Sequence, residues 1–258
     1  MLALFSSLAR FVGIAALGAV VGSGAVPAGP TTRASGPPPR GAIGRDVGSQ
    51  SCSRTLATDV SFGVIATTAG RPYFSSPCLA AEYSWASSLT YRPQYYLNLA
   101  NPGHKSSNWA RGGPRVCDRK PKYDPGCAYD YGYRAAAAAW GYVTAVGSSG
   151  RGRWWLDVET DNTWGYSANG MAANRAVIRG ALNYLRHRHH VGAGIYTETS
   201  WWWVITGNSS SFSGTPVWGG GAGSKNHAVA NCKPHSITGG PALMAQWIRN
   251  GVDHDVAC

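Results

Sequence analysis

The stretch Arg153-Trp154-Trp155-Leu156-Asp157-Val158-Glu159 decides how the rest of the chain is read. A short, nearly continuous apolar run bounded by Gly150-Arg151-Gly152 and Thr160 reads as a buried strand of a parallel sheet. Residues two apart on a strand point to one face. Asp157 and Glu159 therefore stand side by side, with Cα atoms roughly 6.6 Å apart at a rise of about 3.3 Å per residue. In α/β folds the carboxyl ends of parallel strands line the functional face.

Similar runs recur on both sides. Phe62–Thr67, Gln94–Leu99, Val191–Thr197, Thr215–Gly219 and Ala242–Trp247 read as strands, with Gly41–Val47 as the first. Helices fit between them. Leu79–Leu89 is one, and Tyr129–Val146 contains Ala135 to Ala139, five strong helix formers in a row. Met171–His190 carries Ala173, Val177, Ala181, Leu182 and Leu185 at helical spacing. Strand then helix, repeated, predicts a parallel sheet, either open or closed into a barrel. The final third is rich in strands and poor in helices, which argues against a regular eightfold barrel.

The chain has only 12 Asp plus Glu against 23 Lys plus Arg, so the positions of the acids are informative. Asp46 ends the first predicted strand, and Asp253 and Asp255 follow the last. A carboxylic acid near an apolar wall and a second carboxylate has its charged form disfavoured, and can serve as a general acid. Glycosidic cleavage uses two carboxyl groups, about 5–5.5 Å apart in retaining enzymes and wider in inverting ones. The blander reading pairs Asp157 with an arginine and uses Glu159 to cap the loop at Thr160–Thr163.

The chain start reads as an export signal. Arg10 is followed by apolar or small residues from Phe11 to Val21, and cleavage is expected after Ala25, making 1–25 a signal peptide. The apolar run falls short of the about 20 residues a membrane span needs. Residues 26–40, with Pro37-Pro38-Pro39, read as a Pro/Gly-rich linker, and 41–258 as one folded domain. Six cysteines, with no C-x-x-C pair, point to disulfides in an oxidising compartment. Cys117 and Cys127 bracket a loop and read as a local pair. Cys52 with Cys78 and Cys232 with Cys258 is the simplest completion among the connectivities possible. The protein is thus expected outside the cell, possessing no metal or cofactor, as a monomer.

A formal net charge of +11 suits an anionic wall or polysaccharide. No nucleic-acid motif accompanies the basic residues, so nucleic acid is discounted, as is a membrane after signal cleavage. Gly219-Gly220-Gly221 follows no phosphate-loop pattern, and Gly207–Ser211 reads as a flexible loop. His187, His189 and His190 read as helix-end groups more readily than metal ligands. Tyr129–Tyr133 is a candidate rim of a sugar cleft, with aromatic packing as the equal alternative. The long loop 101–126 has the composition of a functional loop.

Gly44–Gln50, Phe62–Gly70, Asp157-Val158-Glu159 and Gly194–Thr197 together resemble glycoside hydrolase family 25, the lysozyme-type muramidases. Pro216-Val217-Trp218, Ala245-Gln246-Trp247 and Asp253–Val256 continue the likeness in order. The nearest likeness is to a divergent exported actinobacterial branch. The resemblance implies an irregular TIM-like (β/α) barrel, about five β/α units followed by helix-poor strands. It implies a hydrolase of peptidoglycan or a related amino-sugar polymer, with Glu159 as general acid and Asp157 as its electrostatic partner. Asp46 and a terminal acid, preferably Asp255, would complete an acidic floor. Tyr196 would line the sugar site, and Trp218 and Trp247 would either stack on sugar rings or belong to the core, the two readings standing equal. Tyr96 and Asn98 fall where the family carries an aromatic and a His, and Ala66–Gly70 lacks the family's charged residues. The rival reading is a non-catalytic carbohydrate-binding or wall-associated protein on a degenerate hydrolase scaffold.

Overall fold

Seven apolar runs form seven parallel strands, and an eighth strand closes them into a barrel. The computed structural model describes Ala34 and residues 36–258; the predicted signal peptide and residues 26–33 and 35 of the predicted linker lie outside the described residues. Strands β1 (Ile43–Val47), β2 (Phe62–Ala66), β3 (Gln94–Asn98) and β4 (Trp154–Asp157) are followed by β5 (Ala193–Thr197), β6 (Val217–Ala222) and β7 (Ala242–Arg249). Each pairs in parallel with the next. Then β8 (Val252–Ala257) runs antiparallel between β7 and β1, in the order β1-β2-β3-β4-β5-β6-β7-β8 around a closed barrel.

Among the described residues, five α-helices cover the outside: α1 (Leu79–Ser88), α2 (Pro125–Ala145), α3 (Ala168–Asn183), α4 (Thr199–Thr206) and α5 (Lys225–Ala230). The α2 start combines Pro125 at its first turn with Asp124, whose carboxylate accepts from Cys127 N–H at 2.8 Å. Its alanines then propagate the helix. Helices α2 and α3 approach closely because a Cβ at Gly132 would lie 1.9 Å from the Val177 carbonyl oxygen, and one at Gly180 2.0 Å from that of Tyr129. Tyr129–Tyr133 therefore belongs to this helix pair, and forms no part of the cleft rim. Among the described residues, no helix is long and apolar enough to cross a membrane.

The eighth strand corrects the sequence reading. Residues 253–255 were expected beyond the last strand, yet they lie within β8. The turn is Asn250-Gly251, both with positive φ (54° and 67°), the conformation that joins two strands in a tight hairpin. Strand β4 ends at Asp157, two residues short of the run read from sequence. Helix α4, built from Thr199–Thr206, was not foreseen, nor was α5.

Alternation along the strands sorts side chains into two layers. Phe62, Val64, Trp155, Trp218 and Met244 fill the barrel interior, while Ile65, Leu97, Leu156 and Ile195 pack outward against the helices. Disulfides join Cys52 to Cys78, Cys117 to Cys127 and Cys232 to Cys258.

Candidate active site

A cleft of about 560 Å³ opens at the carboxyl ends of the parallel strands. Five carboxylates line it: Asp46 from β1, Asp157 and Glu159 at and beyond the end of β4, Glu198 after β5, and Asp253 on β8. Asp255, fully buried, lies against Asp46 beneath them. Half of the chain's 12 acids thus gather at one mouth of a basic protein. Scattered surface charges would not do this.

Asp157 is buried, at 4% exposure. Its Oδ2 accepts a short hydrogen bond from Asn98 Nδ2, its register neighbour on β3. Asn98 is held in turn by Thr68. The Thr68 hydroxyl donates to Asn98 Oδ1 at 2.8 Å and accepts from the Asn98 backbone N–H at 2.9 Å. That leaves the amide N–H₂ facing Asp157.

Glu159 stands past the strand, but three hydrogen bonds hold the backbone of Val158 and Glu159. Val158 N–H donates to the Tyr196 carbonyl at 3.0 Å, and the Thr197 hydroxyl to the Val158 carbonyl at 2.8 Å. Trp164 Nε1 donates to the Glu159 carbonyl at 2.7 Å. Burial is the main cause that raises both carboxyls above their ordinary range, most strongly Asp157. Mutual charge adds to this for Asp157, and Asp161 adds to it for Glu159. The two carboxyls lie close enough to share a proton, so they titrate as one unit.

The opposite wall carries a second polar chain. Tyr196 Oη donates to Gln246 Oε1 at 2.8 Å, and Gln246 Nε2 donates to Asp46 Oδ1 at 3.1 Å. Burial first, then the Asp253 charge, raises Asp46 to about 7. Asp255 is raised further by burial and by Asp46. A mouth with this many unpaired acids can hold protons at neutral pH, which is what general acid chemistry requires.

Of the residues singled out from sequence, Asp46, Asp157, Glu159, Tyr96, Asn98, Tyr196 and Trp218 line the cleft. Trp218 forms its base at 2% exposure, packed against Tyr96, Tyr196 and Trp155, so it offers sugar little free face. Trp247 points the other way. It is buried beside Ala222, Ala228 and Val256 and stacked on His254 at 5.1 Å, so it makes no part of the cleft. The alternation along β7 explains this: Gln246 and Ile248 face the cleft region while Trp247 between them does not. Loop 101–126 contributes no lining residue.

Glu198 and Trp201 were missed. Glu198 obeys the same rule as Asp157, an acid at the end of an apolar strand, and Trp201 lies 6.1 Å from Tyr196. Among the described residues, Cys117, Asp124 and Cys127 cluster at metal-ligand spacing, but both sulfurs are in a disulfide and supply no thiolate.

No family model and no curated protein matches the sequence. Solved structures do match. The chain is similar to a muramidase from Acremonium alcalophilum, with TM-score 0.52 and 18% identity over 84% of this chain and 93% of that one. A bacterial lysozyme from Streptomyces coelicolor gives TM-score 0.52 and 18% identity, over 84% and 92%. A family 25 glycosyl hydrolase from Bacillus anthracis gives TM-score 0.50 and 11% identity, over 84% and 89%. The chain therefore has the irregular barrel fold of these lysozyme-type enzymes.

Proposed function

We propose that this protein is an exported glycoside hydrolase that cleaves glycosidic bonds in peptidoglycan or a related amino-sugar polymer. The observation that carries this reading is the convergence of Asp157 and Glu159 in the cleft, with Asp157 held by Asn98. The fold likeness to muramidases and a lysozyme supports the substrate class. The three disulfides support export.

Glu159, the more accessible of the two, delivers the proton that the pair shares to the leaving glycosidic oxygen, which leaves Asp157 ionised beside it. As the C–O bond breaks, positive charge grows on the sugar ring. Asp157 stabilises that charge or orients the acetamido group. Asp46, held by Gln246, faces the same space from the far wall. Trp201 and Tyr196 border it as the aromatic surface for sugar.

The test is release of reducing ends from peptidoglycan and from chitin-type polymers, with Glu159→Gln beside the parent. Release that the substitution abolishes, with glycan binding retained, supports the hydrolase. Binding without release from any amino-sugar polymer sinks it and leaves the carbohydrate-binding reading. A variant as active as the parent removes Glu159 from its role.

A further inference from the structure

At the other end of the barrel, the segments leading into β3, β4 and β5 surround a second cavity of about 630 Å³. Arg92, Arg151, Arg153, His189 and His190 line it, with Pro37 and Pro38 as one wall, and no carboxylate is among its lining residues. Cationic groups gathered in a concave wall focus a positive potential there.

Two of the groups carry unmet needs. Arg153 is partly buried, with Trp155 5.7 Å below its guanidinium carbon, and its charged neighbour is Arg186, of like sign. Burial pushes both guanidinium pKa values down, the direction expected where a cation lacks a counter-charge. Arg186 is already engaged, donating to the Ala193 carbonyl at 2.6 Å. His189 is stacked on Trp140 with centroids 3.6 Å apart, which fixes its ring, and its buried Nε2 has no hydrogen-bond partner. A buried polar atom of this kind is costly unless a ligand or water reaches it.

We propose that this cavity is an anion site that takes a phosphate group, either free or within a polyol-phosphate polymer. Guanidinium forks match phosphate oxygens in pairs. One carboxylate is satisfied by a single fork, whereas a phosphate has oxygens for several, which suits three arginines and an imidazole. The acid-lined cleft lies at the opposite mouth and shares no lining residue with this cavity. Nucleic acid is disfavoured because single-strand binding uses free aromatic faces. Here His189 is covered by Trp140, while Trp155 carries Arg153 and packs on Trp218.

The experiment uses the full-length protein, titrated calorimetrically at constant ionic strength with inorganic phosphate, with poly(glycerol phosphate) and with duplex DNA. The exposed pair Arg92→Gln/Arg151→Gln is compared with Lys105→Gln/Lys225→Gln, an equal charge change away from the cavity. The proposal expects phosphate to bind and to compete with the polymer. It expects the cavity variant to lose about tenfold or more in affinity and the control to stay within about twofold. Arg153→Lys, which keeps charge but loses the fork, should weaken binding while the thermal midpoint holds. Tighter binding per phosphate for the polymer identifies the polymer as the source, and equal binding identifies free phosphate. Absence of phosphate binding overturns the proposal, as does an equal loss in both double variants. DNA that binds as tightly as the polymer also overturns it.

Discussion

Asn98 and Asp157 are register neighbours at the ends of β3 and β4, and the Asn98 amide donates to the Asp157 carboxylate while Thr68 holds its other end. One amide N–H and the amide oxygen are thus engaged within the protein, so in the proposed hydrolase Asn98 acts as a positioning residue for Asp157. Asn98→Ala should lower kcat on amino-sugar polymers by about 10- to 100-fold with KM little changed, since it frees a positioned group without touching the sugar. Thr68→Val should have a smaller effect of the same kind. Initial-rate measurements of reducing-end release check both, and a change confined to KM would contradict the assignment.

In the proposed hydrolase, the shared proton of Asp157 and Glu159 sets the pH dependence of the rate. The acid must be protonated to work, so the rate falls as pH rises through the apparent pKa of the pair. Burial and neighbouring charge place that limb above the ordinary carboxylate range. Asp161 is exposed and raises Glu159 through its charge. Asp161→Asn should therefore move the alkaline limb of kcat/KM to lower pH. A limb that stays in place would disconnect Glu159 from the titration.

Stability should fall as pH rises, against the usual trend for carboxylates. Asp46 goes from an ordinary 3.8 to about 7, and Glu82 in α1 from 4.5 to about 7, both chiefly through burial. The unfolded chain releases these protons at lower pH than the folded one. Their contribution is whole below about pH 4 and is lost as pH climbs through 7. Glu82 Oε2 has no hydrogen-bond partner, and Oε1 lies 3.1 Å from the disulfide sulfur of Cys78. That sulfur carries no proton, so only a protonated carboxyl can donate there. Glu82→Gln should then gain on the order of 1–3 kcal/mol at pH 8 and nothing at pH 4. Urea titration at the two pH values gives the comparison, and an equal gain at both would refute the protonation argument.

The parallel part of the barrel was legible because continuous apolar runs such as Phe62–Ala66 and Trp154–Leu156 have few alternatives to a buried strand. The last strand was not. In Val252–Ala257 the acids Asp253 and Asp255 alternate with other residues and mimic a polar tail, although Asn250-Gly251 carried the hairpin signal. Asp157 and Glu159 were visible as acids against an apolar background. Glu198 directly follows the predicted strand Val191–Thr197 and obeys the same rule, but it stands alone there, without the second acid two residues away that singled out Asp157 and Glu159. Trp247 failed for a different reason: which face of β7 meets the cleft depends on register, and sequence spacing alone does not supply it.

Gly219-Gly220-Gly221, which fits no phosphate-binding pattern, has a steric purpose in β6. Gly221 has φ of +75°, and a Cβ there would lie 2.5 Å from the Glu198 carboxyl carbon. Two residues earlier, Gly219 has ordinary φ and open space around its Cβ direction. Gly221→Ala should therefore cost about 1–2 kcal/mol and displace Glu198 from the cleft wall. Gly219→Ala, an identical chemical change in the same strand, should stay within about 0.5 kcal/mol. Thermal unfolding of the pair separates the two. Equal losses would mean that strand pairing, and not the approach of Glu198, is what demands glycine in this run.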